Sequence, residues 1–286
     1  MASSETGPPG SASPYYPKIV LCIPGSWADP GDLQSSLGKS GYALEGTRLR
    51  RRDGSETLEL EFQPHSDPRM RKSFEASACR LRPSLELQDY DAVERHRSVL
   101  YLLSRNYDRS DAARVAALML EAGVALIDAG GSAMKCDSSG IAHSAKRWSE
   151  LLEATREAGG PSKALSVVAQ ERELIWTPLF EAFVRLPIVT KTEELYSCGM
   201  HLLGCPDGIV ELGDFDGKDA WAANEVLESF LRSLRVDTGP ESVALSHTFR
   251  APGTTDRFLS AREACTRYQE DAFFWNRWGY FRLRRQ

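Results

Sequence analysis

The chain contains no run of about eighteen apolar residues, so no segment has the length and hydropathy of a membrane-crossing helix. Its opening stretch, "MASSETGPPGSASPYYP", lacks a basic region followed by an apolar one, and the expected location is the cytoplasm. Positive charge is not in excess. The 35 Lys and Arg stand against 40 Asp and Glu, a net charge of −5, which removes the electrostatic basis for a nucleic-acid partner. The six cysteines, Cys22, Cys79, Cys136, Cys198, Cys205 and Cys265, form no CxxC pair, and most lie in apolar segments, as free thiols of a reducing compartment do. Phosphate loops of the GxGxxG or GxxxxGK[ST] type, the HExxH helix, the GxSxG elbow and the EF-hand loop are all missing. These absences remove the commonest sequence routes to nucleotide, zinc-protease, serine-hydrolase and calcium chemistry, and no cofactor is expected.

What is present is enough for a large core: 286 residues, 42% of them hydrophobic, with six Trp. Residues 1–16, rich in Ser, Gly and Pro, read as a disordered tail. The remainder, 17–286, reads as a single two-lobed α+β domain, with lobes at roughly 17–163 and 164–286. "KIVLCIP" is a short apolar run with β-branched residues, the pattern of a strand covered on both faces, and Pro30 stands at a plausible first helical position. Asp53-Gly54 separates two extended segments and supplies the positive φ angles of a tight hairpin. A weak helical pattern follows from Pro68 to Ala78. The basic clusters Arg48 with Arg50 to Arg52 and the terminal "RLRRQ" read as an edge-strand guard and a solvated end.

The middle of the chain is more explicit. "SVLYLLS" (98–104) reads as a buried strand, Asp108 as the N-cap of a helix running to about Ala129, and Gly130-Gly131 as its stop. That helix is apolar on most of its circumference, so it is expected between a sheet and another element. "SAMKC" follows as a strand, completing a βαβ unit. Later, "LYSCGMHLLGCPDGIVELG" reads as strand material turned at Pro206-Asp207-Gly208. The helical "DAWAANEVLESFLRSL" and the strand "SVALSHTFR" come after it. The fold class expected is therefore α+β: two βαβ-containing lobes whose mixed sheets pack against helices.

Residues 130–148 concentrate the reactive side chains. Read as chemistry, Lys135, Ser138 and Ser139 could grip an anion at a strand-to-helix junction, Cys136 could serve as a thiolate nucleophile, and His143 as its base beside Asp137. Read as structure, "CDSSG" is turn chemistry, in which Asp and Ser side chains bond back to local amides and Gly140 takes an unusual dihedral. On that reading Asp137 to His143 form a loop and Ser144 caps the next helix. Seven residues between Cys136 and His143 do not by themselves bring thiol and imidazole together. Cys198, His201 and Cys205 are three soft ligands without a fourth, and on an extended strand positions 198 and 201 face opposite ways, so no metal site is expected. His65 and His96 read as solvated, His247 as a hydrogen-bonded strand residue. Seven rings crowd the C-terminus between Tyr268 and Phe281. They read either as a terminal strand closing the core or as a recognition surface, with Trp275, Trp278 and Tyr280 as partner contacts.

The block from Leu103 to Trp148, with its "KCDSSG" turn and His143, and the block "SCGMHLLGCPDGIVELG" resemble a family of bacterial proteins carrying a DUF4261-type domain of unknown function. The two blocks cover a fifth to a quarter of the chain. The resemblance implies no catalytic residue and no cofactor. It implies a setting: an immunity or accessory protein around bacterial toxins or secretion systems. Two readings of function stand side by side. One is a cytoplasmic, non-catalytic protein-binding protein. The other is a hydrolase-like enzyme that binds a small molecule or anion at 135–143.

Overall fold

The computed structural model describes residues 16–78, 84–159, 169–234, 246–251, 255–268, 270–271 and 273–286, with Lys39, 169–175, 246 and 247 described by backbone alone. The expected tail, apart from Tyr16, and Cys79 lie outside the described residues.

Two sheets organise the fold, and it is α+β as the sequence implies. The first begins with β1 (Val20–Gly25), followed by α1 (Pro30–Ser36), β2 (Tyr42–Glu45), β3 (Arg48–Arg51) and β4 (Thr57–Gln63). Then come α2 (Met70–Ser77), α3 (Leu87–Glu94), β5 (Ser98–Leu103), α4 (Ala112–Asp128), β6 (Ala133–Cys136), β7 (Ile141–Ser144) and α5 (Ala145–Glu157). The strand order is β2-β3-β4-β5-β1-β6-β7, with every neighbouring pair antiparallel. β1 is central and buried along its whole length. Alternation sends Leu21 and Ile23 into the core shared with α4, and Cys22 to the opposite face, among Met70, Phe74 and Val93 of α2 and α3. The continuous apolar run of β1 is the consequence of helices on both sides.

α6 (Ala169–Phe183) leads to the second sheet: β8 (Arg185–Val189), β9 (Glu194–Cys198), β10 (Asp207–Glu211), α7 (Ala220–Ser233), β11 (Ser246–Phe249), β12 (Phe258–Glu263) and β13 (Tyr280–Arg285). The order is β11-β12-β13-β10-β9-β8, and only β10 and β13 run parallel. α7 covers one face, where Leu227 and Leu231 press on Gly208. On the other face lie Tyr196, Cys198 and Ile209, packed with Ile188, Phe274 and Tyr280. One buried cluster joins the two sheets, from Leu21 and Leu102 through Trp148 and Phe183 to Phe281.

The crossovers through α4, from β5 to β6, and through α7, from β10 to β11, join parallel strands that are not neighbours. β1 lies between β5 and β6, and β13 with β12 between β10 and β11. Four local expectations are corrected. The segment before Asp53 is two strands, β2 and β3, rather than one. Asp108 precedes a short 3-10 turn, Arg109–Asp111, and its side chain makes no cap bond. Asp137 to His143 is not a loop running into a helix, because residues 141–144 are strand β7. His96 is buried rather than solvated: its Nε2 accepts from the Asp67 amide at 2.8 Å and its Nδ1 lies 2.6 Å from the Val93 carbonyl.

Candidate functional site

The polar stretch 135–143 is a hairpin. Cys136 pairs with Ile141 and Met134 with His143, the Gly140 amide donates to the Cys136 carbonyl at 2.8 Å, and Gly140 takes φ +74°. Glycine supplies that left-handed conformation without a Cβ penalty, so the reversal is local turn chemistry. Ser144 then caps α5, accepting from the Arg147 amide at 3.2 Å. Ser138 holds the turn to the start of β1: its hydroxyl donates to the Lys18 carbonyl at 2.7 Å and accepts from the Val20 amide at 3.0 Å.

This packing determines what the reactive residues can do. Cys136 is fully buried, and burial pushes its thiol up to about 12, far from a thiolate at neutral pH. His143 Nε2 lies 3.0 Å from the Glu181 carbonyl, which only accepts, so that nitrogen carries the proton. Its Nδ1 lies 2.9 Å from the Ser84 hydroxyl, which also reaches the Ala142 carbonyl. Both ring nitrogens are therefore engaged away from Cys136, and burial lowers the imidazole to about 4. Lys135 pairs with Asp137 at 2.8 Å and donates to Ser73. Ser139 is buried beside the Cys136 thiol, and its hydroxyl makes no regular hydrogen bond among the described residues.

The second block of the chain folds against this turn. Between β9 and β10, Gly199 (φ +119°) and Gly204 (φ +76°) bracket a 3-10 turn at Met200–Leu203. His201 therefore sits on a turn rather than a strand. A Cβ at Gly199 would stand 2.2 Å from the Phe183 carbonyl oxygen and 2.9 Å from Ser139 Cβ; one at Gly140 would stand 2.9 Å from Arg185 Nη1. The two turns, some sixty residues apart in sequence, are in contact. Cys198, His201 and Cys205 do not converge: among the described residues, no three His, Cys, Asp or Glu side chains are placed to hold a metal ion.

Asp207 is the buried polar centre of this region. It accepts from Ser197 Oγ at 2.7 Å, the Met200 amide at 3.2 Å and Asn276 Nδ2 at 2.7 Å, while burial raises its carboxyl to about 6. His201 donates from Nε2 to the Phe273 carbonyl at 2.8 Å. Its Nδ1, 4.0 Å from Asp207 and near the Ser138 backbone, is buried without a regular hydrogen bond among the described residues, and burial lowers the ring to about 4. These bonds fasten residues 273–279 to β10. Sequence reasoning passed over Asp207, since one Asp in a Pro-Asp-Gly turn looks like ordinary turn chemistry.

The fastened segment covers this face of the second sheet and leaves a small ring-lined cleft, about 20 Å³ of it open to water, walled by Tyr196, Tyr268, Phe274 and Tyr280, with Cys265 at its side. Arg267 lies 4.6 Å above the Tyr196 ring and pairs with Glu194 at 2.5 Å. Tyr268 and Phe273 remain 40% and 46% exposed, whereas Trp275, Trp278 and Tyr280 are half-buried. Of the three predicted partner contacts, only Tyr280 lies in a strand and lines the cleft.

Compared with known proteins, the chain matches no family model, no curated protein and no solved structure.

Proposed function

We propose that this chain is a cytoplasmic binding protein without catalytic chemistry of its own, holding a protein partner on the ring-lined face of the second sheet. The observation that carries this reading is the aromatic cleft, with Tyr268 and Phe273 exposed beside it. Exposed apolar rings framed by arginine are costly to leave in water and are the side chains that dominate protein interfaces. The resemblance noted in the sequence implies the class of partner, a bacterial toxin or secretion component, and hence an immunity or accessory role.

The enzyme reading at 135–143 has less to rest on. A Cys136, Asp137, Ser139 and His143 machinery needs an ionised thiol, a free imidazole nitrogen and space for substrate. Here the thiol is buried and neutral, and both nitrogens are occupied.

Co-purification of the tagged protein from its host, followed by calorimetry with the purified partner, tests the proposal. The double variant Tyr268→Ser with Phe273→Ser is expected to bind that partner at least about tenfold more weakly. His143→Gln is expected to leave affinity unchanged. Full affinity in the double variant would refute the assignment.

A further inference from the structure

α4, α5 and the start of β2 line a second cleft, with about 300 Å³ of it open to water against about 20 Å³ in the ring-lined one. Its charge is one-sided. Glu121, Asp128 and Glu153 face a single guanidinium in the lining, Arg156, which pairs with Glu153 at 2.7 Å. Glu121 meets Arg51 at 3.4 Å, and Asp128 has no ion pair or hydrogen bond among the described residues.

The neutral polar groups of the lining add acceptors. Ser40 and Ser149 donate their hydroxyl protons to the Leu37 and Ala145 carbonyls, so toward any ligand both can only accept. Tyr42 is 2% exposed, and its buried hydroxyl has no hydrogen-bond partner among the described residues. Burial first, and then the nearby Glu121 carboxylate, push its ionisation up, so the phenol stays neutral. A buried hydroxyl without a partner marks a place where a bound group completes the bonding.

Spacing selects the ligand. Glu121 and Asp128 are two turns apart on one face of α4, about 10 Å along its axis, with buried Val124 between them in sequence and buried Leu152 of α5 in the same lining. A metal ion does not suit this spread: among the described residues no three His, Cys, Asp or Glu side chains are placed to hold one. Separated negative charges with an apolar stretch between them match an organic cation charged at both ends. We infer that the cleft binds an aliphatic diamine or polyamine. One ammonium lies at Asp128 and another at Glu121, whose movement toward the ligand opens the Tyr42 hydroxyl to the same ammonium, and the methylenes lie over Val124 and Leu152. A cleft lined by charge of one sign also concentrates such cations. It shares no residue with the ring-lined cleft, so a partner held there and a diamine held here are separate events.

Calorimetry on the full-length protein tests this with straight-chain diamines from diaminobutane to diaminooctane, with butylamine and butanediol as one-charge and no-charge controls. The best diamine is expected to bind at least about tenfold more tightly than butylamine, because its second ammonium binds intramolecularly, and butanediol should not bind. Asp128→Asn should bring the diamine down to the butylamine value while leaving butylamine nearly unchanged, a selective loss that misfolding cannot produce. Tyr42→Phe should weaken both amines. A diamine no tighter than butylamine, an equal loss of both amines in Asp128→Asn, or no binding of any amine would each overturn the inference.

Discussion

Ser138 and Ser139 are adjacent and chemically alike, and each is at most 1% exposed. Their surroundings make them energetically different. Ser138 satisfies a buried carbonyl at Lys18 and a buried amide at Val20; Ser139 faces the Cys136 thiol, a weak partner, and makes no regular hydrogen bond among the described residues. Removing one partner of a buried hydrogen bond costs about 1–3 kcal/mol, whereas removing a weakly partnered buried hydroxyl costs little or even stabilises. Ser138→Ala is therefore expected to lower the urea midpoint by an amount in that range, and Ser139→Ala to leave it within about 0.5 kcal/mol of wild type. Equal losses in both would show that the turn is not tied to β1 as described. The sequence marked both serines as equivalent anion ligands, because the bond to a strand 118 residues away leaves no trace in the local pattern.

At the scale of elements, the contact between the two turns sets how the sheets meet. Gly199 approaches the Phe183 carbonyl so closely that any side chain would force a shift, and its φ of +119° penalises an L residue independently. Gly199→Ala is expected to destabilise by more than about 2 kcal/mol in equilibrium unfolding. Gly213→Ala, where a Cβ would meet nothing within 4 Å, serves as the control and should change stability little. A tolerated Gly199→Ala would mean that the 199–204 turn can move away from α6 and the hairpin. Several elements were legible from their own residues: Pro30 opens α1, Asp53-Gly54 lies in the β3–β4 connection, and Ser144 caps α5. β7 was not. "IAHS" is too short to show alternation, and its strand character comes from pairing with β6 and burial beneath Trp148 and α2.

For the whole molecule, pH reports how the buried titratable groups were folded in. His143 and His201 are held near pKa 4, below the usual 6.5, so between those values the unfolded chain binds more protons. Stability contributed by each is complete above about pH 6.5 and is lost as pH falls toward 4. Asp207 acts in the opposite sense. Its carboxyl, raised from 3.8 to about 6, makes the native state the proton binder across that window, so stability falls as pH rises through it. At roughly 1.4 kcal/mol per pH unit each group is worth about 3 kcal/mol, and two histidines against one aspartate leave a net loss in acid of about that size. The urea midpoint is expected to be lower at pH 4.5 than at pH 7, and His143→Gln should shrink the difference. A midpoint higher at pH 4.5 would reverse the assignment of the neutral histidines.

Composition and local pattern determined the α+β class, the central buried strand, the apolar α4 and the crowding of rings near the C-terminus, because each depends only on residues close in sequence. Tertiary structure alone decided that β1 inserts between β5 and β6, that the hairpin of one sheet seats against a turn of the other, and that Asp207 fastens the aromatic segment into a cleft. Those outcomes depend on which distant surfaces meet. Burial then keeps the Cys136 thiol and the His143 and His201 rings neutral and raises the Asp207 carboxyl, and so separates the sealed turn from the ring-lined face proposed to hold a partner.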